Sequence, residues 1–154
     1  MLTPDQRTAF KHDGYLVLPG FKPAAEVQAL CRRAHELVEA FEPGAQAAVF
    51  SSVQPQRLAD AALINSAESM HCFFEEEAFD AQGARRQAKA LSINKIGHAL
   101  HDLDPVCSAF SHGPALAALA ADLGLVQPQV WQSQLIFKQL AQIKSARHPA
   151  EGHQ

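Results

Sequence analysis

The chain has 154 residues, of which 47% are hydrophobic and 19% are charged, and its formal net charge is −3. This composition is typical of one globular domain with a core and does not indicate a disordered chain. A mildly acidic chain without a basic stripe does not favour nucleic acid as a partner, and no apolar run approaches the roughly 20 residues of a transmembrane helix.

The start of the chain predicts a helix followed by a strand. Thr3 can cap a helix whose first turn holds Pro4, and Gln6 lies at the position that completes a capping box. Gly14 is placed to end this helix in the left-handed conformation. The short apolar run YLVLPGF that follows predicts a buried strand. The first residues also lack the charged and then apolar pattern of a signal peptide.

A second helix is predicted to begin at Pro23. Apolar residues recur at three- and four-residue steps from Val27 to Phe41, and charged residues fall largely on the other side. Pro43 is expected to stop this helix, and His35 on its polar side is expected at the surface. Residues 45–70 show no firm period and carry no prediction of an element.

The middle of the chain predicts a strand and then an exposed loop. The strand is Met70 to Phe74, the charge run Glu75 to Glu77 is typical of a solvated face, and Asp80 to Gly83 has turn chemistry. On such a strand the side chains of His71 and Cys72 would point to opposite faces, which argues against a catalytic pair.

The second half predicts a strand, short helices and a last strand. The strand is Leu91 to Ile96, and helices are expected to begin at Pro105 and at Pro114, the second of which ends at Gly124. In VQPQVWQSQLIFKQ both alternating faces carry apolar groups, so we expect a strand that is covered on both sides. The mixture of helices and strands predicts the α+β class.

The three cysteines, Cys31, Cys72 and Cys107, lie far apart and form no CxxC pair. An odd number with these spacings is neither a disulfide framework nor a zinc knuckle. We interpret them as reduced thiols of a cytoplasmic protein that serve as small apolar core residues rather than as nucleophiles.

The stretch LSINKIGHALHDLDP raises the possibility of a metal site. On one face of a helix, His98 and His101 with Asp102 could hold a transition metal. The alternative, which the weak spacing signal favours, is that these residues are structural or surface groups. In that interpretation Asp104 organises the helix that begins at the following proline.

Lys95 in the same stretch is a candidate anion clamp. On a strand it would share a face with Ile93 and Gly97 and would be partly buried. A partly buried ammonium needs an anion, so Lys95 could hold a carboxylate or a phosphate. The alternative, favoured by spacing alone, is a lysine whose ammonium reaches solvent at a strand end. The chain contains no GxSxG, GxxxxGK[ST] or GxGxxG motif.

Several segments together resemble the phytanoyl-CoA dioxygenase family, in particular its subgroup of domain-containing proteins. In chain order they are FKHDGYLVLPGF, FFEEEAFD, SINKIGHALHDLDPVCSAFSH and LGLVQPQVWQSQLIFKQ, and they extend from about Leu2 to Gln139. The resemblance implies an Fe(II)- and 2-oxoglutarate-dependent oxygenase on a double-stranded β-helix, a cupin-like jelly roll. It also implies that Lys95 contacts 2-oxoglutarate and that Gln134, where relatives often carry methionine, lines the same cofactor.

The resemblance extends over only about half of a family domain. Family members bind iron through an HxD pair and a distant histidine, and this sequence contains no HxD pair. We therefore divide the chain into residues 1–139, the N-terminal part of a family domain with an incomplete β-helix, and residues 140–154, a divergent polar tail that is typical of a frameshift or a truncated product. We do not expect His148 and His153 in this tail to replace the iron ligands, so the sequence predicts no catalytic and no metal-binding residue.

Two functions follow as expectations. The first is a fragment of an Fe(II)- and 2-oxoglutarate-dependent hydroxylase of an unidentified small molecule, inactive alone because the iron triad is missing. The second is a non-catalytic module whose exposed strand edges associate with another copy or with a polypeptide that completes the fold. A small metal-binding protein, with His98, His101 and Asp102 as ligands, is the third and least favoured.

Overall fold

A computed structural model describes residues 2–44, 48–50 and 65–138. The helices of these residues are α1 (Pro4–Asp13), α2 (Ala24–Ala40), α3 (Lys89–Ser92), α4 (Leu100–Leu103), α5 (Pro105–Ser111) and α6 (Pro114–Asp122). The strands are β1 (Met70–Phe74), β2 (Ile93–His98) and β3 (Ser133–Ile136). This mixture agrees with the predicted α+β class. None of these helices is both long enough and apolar enough to cross a bilayer. The predicted tail, residues 140–154, lies outside the described residues.

The three strands form one antiparallel sheet in the order β1-β2-β3. On the central strand, Lys95 is opposite Phe73 of β1 and Ile136 of β3. Directly opposed residues of an antiparallel pair share a face of the sheet. The side chains of these three residues therefore define one face, which we call the Lys95 face.

The other face of the sheet packs on the hydrophobic core. Its buried members come from both the sheet and the helices: Val38, Cys72, Phe74, Ala78, Ile93, Ile96, Leu100 and Cys107. Leu30 and Leu37 of the amphipathic helix α2 pack against this cluster. Each fully buried large apolar side chain contributes about 1.5–3 kcal/mol relative to an exposed one. The core therefore fixes one face of the sheet and leaves the Lys95 face to other contacts.

A register shift in the β1–β2 pair decides which residue joins the core. Phe73 pairs with Lys95, whereas Phe74 pairs with Ile93, so Asn94 is an extra residue on β2. Ile93 is completely buried in the core cluster. The prediction that Lys95 shares a face with Ile93 is wrong, because simple alternation does not hold across this irregularity.

The predicted helix ends are confirmed at α1. The Thr3 hydroxyl accepts a hydrogen bond from the Gln6 backbone N–H at 3.2 Å, and the Gln6 side chain accepts one from the Thr3 backbone N–H at 2.9 Å. This is the reciprocal capping box that the sequence predicts. Gly14 follows the helix with φ of 77°, and its N–H donates to the Phe10 carbonyl.

The segment after Gly14 is not the buried strand that its apolar residues predict. Tyr15 is 67% exposed and Val17 is 71% exposed. Among the described residues, no strand pairs with this segment. A strand needs a neighbour that accepts its backbone hydrogen bonds, and apolar composition alone does not supply one.

The last strand is shorter and more open than predicted. β3 comprises only four residues, Ile136 on it is 62% exposed, and Trp131 just before it is 92% exposed. The prediction of a strand covered on both sides is therefore wrong for the described part of the chain. By contrast, the helices predicted at Pro105 and Pro114 are confirmed, and Gly124 with φ of 80° follows the second.

Candidate functional site

Lys95 is a buried cation on the sheet. The residue is only 5% exposed. The ammonium nitrogen Nζ lies 3.8 Å from the ring centroid of Phe50 and 5.3 Å from that of Phe73. A desolvated cation–π contact is worth about 2 kcal/mol, which offsets part of the cost of burying an ammonium. The alternative in which Lys95 reaches solvent is therefore wrong.

Two different parts of the chain bring the aromatic rings to Lys95. Phe73 stands directly opposite Lys95 in the β1–β2 pairing. Phe50 comes from the short stretch 48–50, which lies beside β1: the Phe50 N–H donates to the Phe74 carbonyl at 2.9 Å, and the Phe74 N–H donates to the Ala48 carbonyl at 2.8 Å. The same hydrogen bonds partly cover the outer edge of β1.

Gln134 lies on the Lys95 face, on the neighbouring strand. It is opposite Gly97, two residues from Lys95, so Gln134 and Lys95 are diagonal neighbours, which are typically about 7–8 Å apart. Its Cγ atom is 3.6 Å from the position that a Cβ atom on Gly97 would take. A Cβ atom on Gly97 would make ordinary van der Waals contact with Gln134, so these two positions lie close together across the strand pair. The structure brings together the two residues predicted to bind the cofactor, and their binding roles stay predictions.

His98 is the last residue of strand β2. The metal-site hypothesis required it to lie on a helix, which it does not. Its Nδ1 atom is 2.8 Å from the Ser66 hydroxyl, and its ring centroid is 5.6 Å from that of Phe73. Burial lowers the pKa of His98, and the nearby charges of Lys95 and His71 lower this pKa further, although hydrogen bonding to Ser66 opposes the shift. His98 is therefore held towards its neutral form.

His101 lies beside a serine and an aspartate, but their arrangement is structural. Nδ1 of His101 is 2.8 Å from the Ser133 hydroxyl, and Nε2 is 3.4 Å from a carboxylate oxygen of Asp102. In a hydrolase triad the serine lies at Nε2 and the carboxylate at Nδ1, the reverse of this order. The Ser133 hydroxyl also donates to the His98 carbonyl and accepts from the His101 backbone N–H. Ser133 therefore ties β3 to the end of β2.

The two histidines do not converge on a metal. His98 is bonded to Ser66, and His101 is bonded to Ser133. Over residues 2–44, 48–50 and 65–138, no group of three or more histidine, cysteine, aspartate or glutamate side chains could hold a metal ion. These residues therefore do not provide the two histidines and one carboxylate of a non-haem Fe(II) site.

Asp104 organises helix α5 and links it to α2. One carboxylate oxygen accepts the backbone N–H groups of Val106 and Cys107 at 3.0 Å each, and the other accepts from Nε of Arg33 at 2.6 Å. Burial alone would raise the pKa of Asp104, but the hydrogen bonds from Cys107 and Arg33 and the charge of Arg33 outweigh burial and lower it. The predicted role of Asp104 is confirmed, with an added link to α2.

Sequence reasoning missed the residues that surround Lys95. Alternation along β1 could have placed Phe73 on the face of His71, but only the pairing register brings Phe73 opposite Lys95. Phe50 and Ser66 come from a region without periodicity, so no local signal marked them. Both residues reach the site through contacts that are distant in sequence.

Comparisons with known proteins agree with the resemblance seen in the sequence. The family model described as Phytanoyl-CoA dioxygenase (PhyH) matches residues 10–151. The chain is 45% identical over 138 residues to Phytanoyl-CoA dioxygenase 1 of Oryza sativa subsp. japonica, which covers 90% of this chain and 48% of that protein. It is 42% identical over 138 residues to Phytanoyl-CoA dioxygenase of Arabidopsis thaliana, with 90% and 48% covered.

An animal relative gives the same result. The chain is 41% identical over 143 residues to Phytanoyl-CoA dioxygenase domain-containing protein 1 of Bos taurus, which covers 90% of this chain and 49% of the relative. The chain thus spans about half the length of the curated relatives it matches.

Proposed function

We propose, because the chain belongs to the phytanoyl-CoA dioxygenase family, that it forms the N-terminal half of an Fe(II)- and 2-oxoglutarate-dependent dioxygenase that hydroxylates a small molecule. The observation that carries the proposal is the buried ammonium of Lys95, with Gln134 as its diagonal neighbour on the same face of the sheet. When bound, 2-oxoglutarate would supply, through its oxidative decarboxylation, two of the four electrons that reduce O2, and the hydroxylated substrate would supply the other two.

Lys95 has the chemistry to hold the carboxylate of the cofactor that lies far from its keto group. An ammonium packed over two rings is poorly hydrated, and charge attraction is stronger in such a low-dielectric setting than at the surface. Gln134 can add a neutral hydrogen bond from the next strand. Both side chains thus orient the cofactor rather than react with it.

Iron would have to be held by other residues of a complete family domain. The described residues do not fit Fe(II), and the sequence has no HxD pair. We therefore expect this chain alone to form no succinate when it is incubated with Fe(II), ascorbate and 2-oxoglutarate. Succinate well above that of a control without protein would overturn the expectation of an inactive fragment.

A cytoplasmic location belongs to the same proposal. Cys31, Cys72 and Cys107 are all free thiols. Reduced thiols are typical of the cytosol, where disulfides are rare.

A second candidate function is a module that another polypeptide chain completes. The supporting observation is that, among the described residues, β3 pairs only with β2, together with Ile136, which is 62% exposed, and the exposed Trp131. Edge strands with exposed apolar groups favour pairing with another chain. Size-exclusion chromatography with light scattering tests self-association: an assembly that dissociates on Ile136→Ser, but not on Val17→Ser, supports this candidate. A well-folded monomer argues against self-association.

A further inference from the structure

Three basic side chains surround the ring of Phe73. The ring centroid of Phe73 lies 5.0 Å from that of His71, 5.6 Å from that of His98 and 5.3 Å from Nζ of Lys95. Phe73 itself is only 1% exposed. The register places His71 and Lys95 on the same face, and His98, opposite Met70 at the end of β2, approaches the ring from there. Lys95 is therefore one of three groups on this ring that can carry positive charge.

His98 is the buried titratable member of this group. It is 5% exposed, and its Nδ1 atom is hydrogen-bonded to the Ser66 hydroxyl. Among the described residues Nε2 makes no hydrogen bond, and every fully buried side-chain nitrogen or oxygen of those residues has a partner. Nε2 therefore lies where solvent can reach it, and this nitrogen is available to take up a proton.

The groups that face His98 come from each element around it. β1 contributes His71, β2 itself contributes Lys95, and the turn before β1 contributes the Ser66 hydroxyl. β3 contributes the Ser133 hydroxyl, which donates to the His98 carbonyl. Within the described residues, burial is the largest cause of the lowered pKa of His98, the charge of Lys95 comes next, and His71 adds a smaller effect.

The next residue on this side, His101 of α4, does not add to the charges that face His98. Its Nδ1 atom is bonded to Ser133, and its ring packs against His112. His101 therefore belongs to the contact between α4 and β3 and not to the group around Phe73.

We propose that His98 is the second cationic group of the Lys95 carboxylate site and that it takes up a proton from solvent, on Nε2, when a dicarboxylate binds there. This inference rests on the proposed function, because it requires carboxylate binding at Lys95. Without the ligand, burial and the positive charge of Lys95 favour the neutral form of His98. A bound carboxylate offsets the charge of Lys95 and brings its own negative charge, which reverses the sign of the local field.

Proton uptake determines the direction in which the affinity for the ligand changes with pH. The pKa of His98 without ligand is below its usual value, and a bound carboxylate raises it. Affinity therefore rises as pH falls between the pKa of the free chain and that of the complex, and it is constant above both. One proton per ligand limits the change to about tenfold per pH unit. A site with Lys95 alone would be flat over about pH 6–8, where lysine and the ligand carboxylates keep their charges.

Calorimetric titration of the whole 154-residue chain with 2-oxoglutarate tests the inference. Measurements over about pH 6–8, in two buffers of different ionisation enthalpy, give the number of protons taken up. We expect uptake that approaches one proton per ligand and binding that tightens on acidification. His98→Gln retains a polar group towards Ser66 and is expected to bind without pH dependence. The exposed His12 provides the matched control, because His12→Gln should retain the dependence.

The outcomes separate this inference from the proposed function. Binding that requires Lys95 but is flat with pH overturns the inference and leaves the proposed function standing. The same holds if the pH dependence survives His98→Gln or disappears only in His71→Gln. Absence of any 2-oxoglutarate binding overturns both. Proton uptake is measured on the unmodified chain, so the test stands even if His98→Gln does not fold.

Discussion

Asp104 shows at the scale of one residue how helix capping and an ion pair combine. Its carboxylate caps α5 and accepts a hydrogen bond from Arg33 of α2. Asp104→Ala removes the cap and leaves Arg33 without this partner, so we expect a loss of about 2–3 kcal/mol in the free energy of unfolding. Urea denaturation measures it. The matched control is Asp102→Ala, at a side chain that is 67% exposed, and an equal loss in both variants would contradict this account.

The same carboxylate gives the chain a predictable response to acid. The folded-state pKa of Asp104 is below its usual value. The stability it adds is therefore present above the unfolded value of about 3.9 and is lost as pH falls through the lower folded-state pKa. The difference in stability between the unmodified chain and Asp104→Ala should shrink below about pH 4. A difference that stays constant down to acid unfolding would count against the lowered pKa.

At the scale of the element, Gly14 ends α1 by its backbone conformation alone. It has φ of 77°, and a Cβ atom placed there would meet no other heavy atom within 4 Å. Gly14→Ala should therefore cost about 1 kcal/mol from conformational strain, without any steric clash. Thermal unfolding measures this cost. Gly44→Ala is the matched control, because Gly44 has equally open space and no positive φ. A destabilisation that is equal at both glycines would contradict the account.

The elements also show which features a sequence can predict. The limits of α1 follow from Thr3, Gln6 and Gly14, all within one short segment, and the structure confirms them. For the segment after Gly14 and for the outer part of the last strand, the prediction rests on apolar composition alone. Both are more exposed than predicted. Helix ends depend on local chemistry, whereas a strand depends on a partner that local sequence does not identify.

The candidate site shows the same contrast between features set by local sequence and features set by distant pairing. Spacing alone favoured a lysine that reaches solvent, and Lys95 is buried because Phe50 and Phe73 are brought to it by pairing that is distant in sequence. A register shift then separates Lys95 from Ile93, which alternation had placed beside it. The family resemblance indicated the importance of Lys95, and it gave no sign of the aromatic rings or of His98.

At the scale of the whole molecule, the core face of the sheet is closed and the Lys95 face is only partly covered. Cys72 and Cys107 belong to the core, and burial raises the pKa of each thiol to about 11. Cys31 on α2 is exposed, so the prediction of a core residue is wrong for this cysteine. Iodoacetamide should therefore modify Cys31 alone in the folded chain and all three thiols in urea, because burial raises the pKa of the other two thiols and keeps the reagent from them.

Mass spectrometry of the intact chain counts these adducts. Cys31→Ser should take up no label in the folded state and two labels in urea. Rapid labelling of Cys72 or Cys107 in the folded chain would contradict the described core.

The most direct test of the central claim, that Lys95 on this half of a dioxygenase domain holds a carboxylate, is calorimetric titration with 2-oxoglutarate. We expect the unmodified chain to bind 2-oxoglutarate and Lys95→Met to bind at least about tenfold more weakly, because a charge-assisted hydrogen bond is worth about 1.5–3 kcal/mol. The exposed Lys11 supplies the control, and Lys11→Met should bind like the unmodified chain. Equal affinity in all three chains, or no binding to any of them, would contradict the claim.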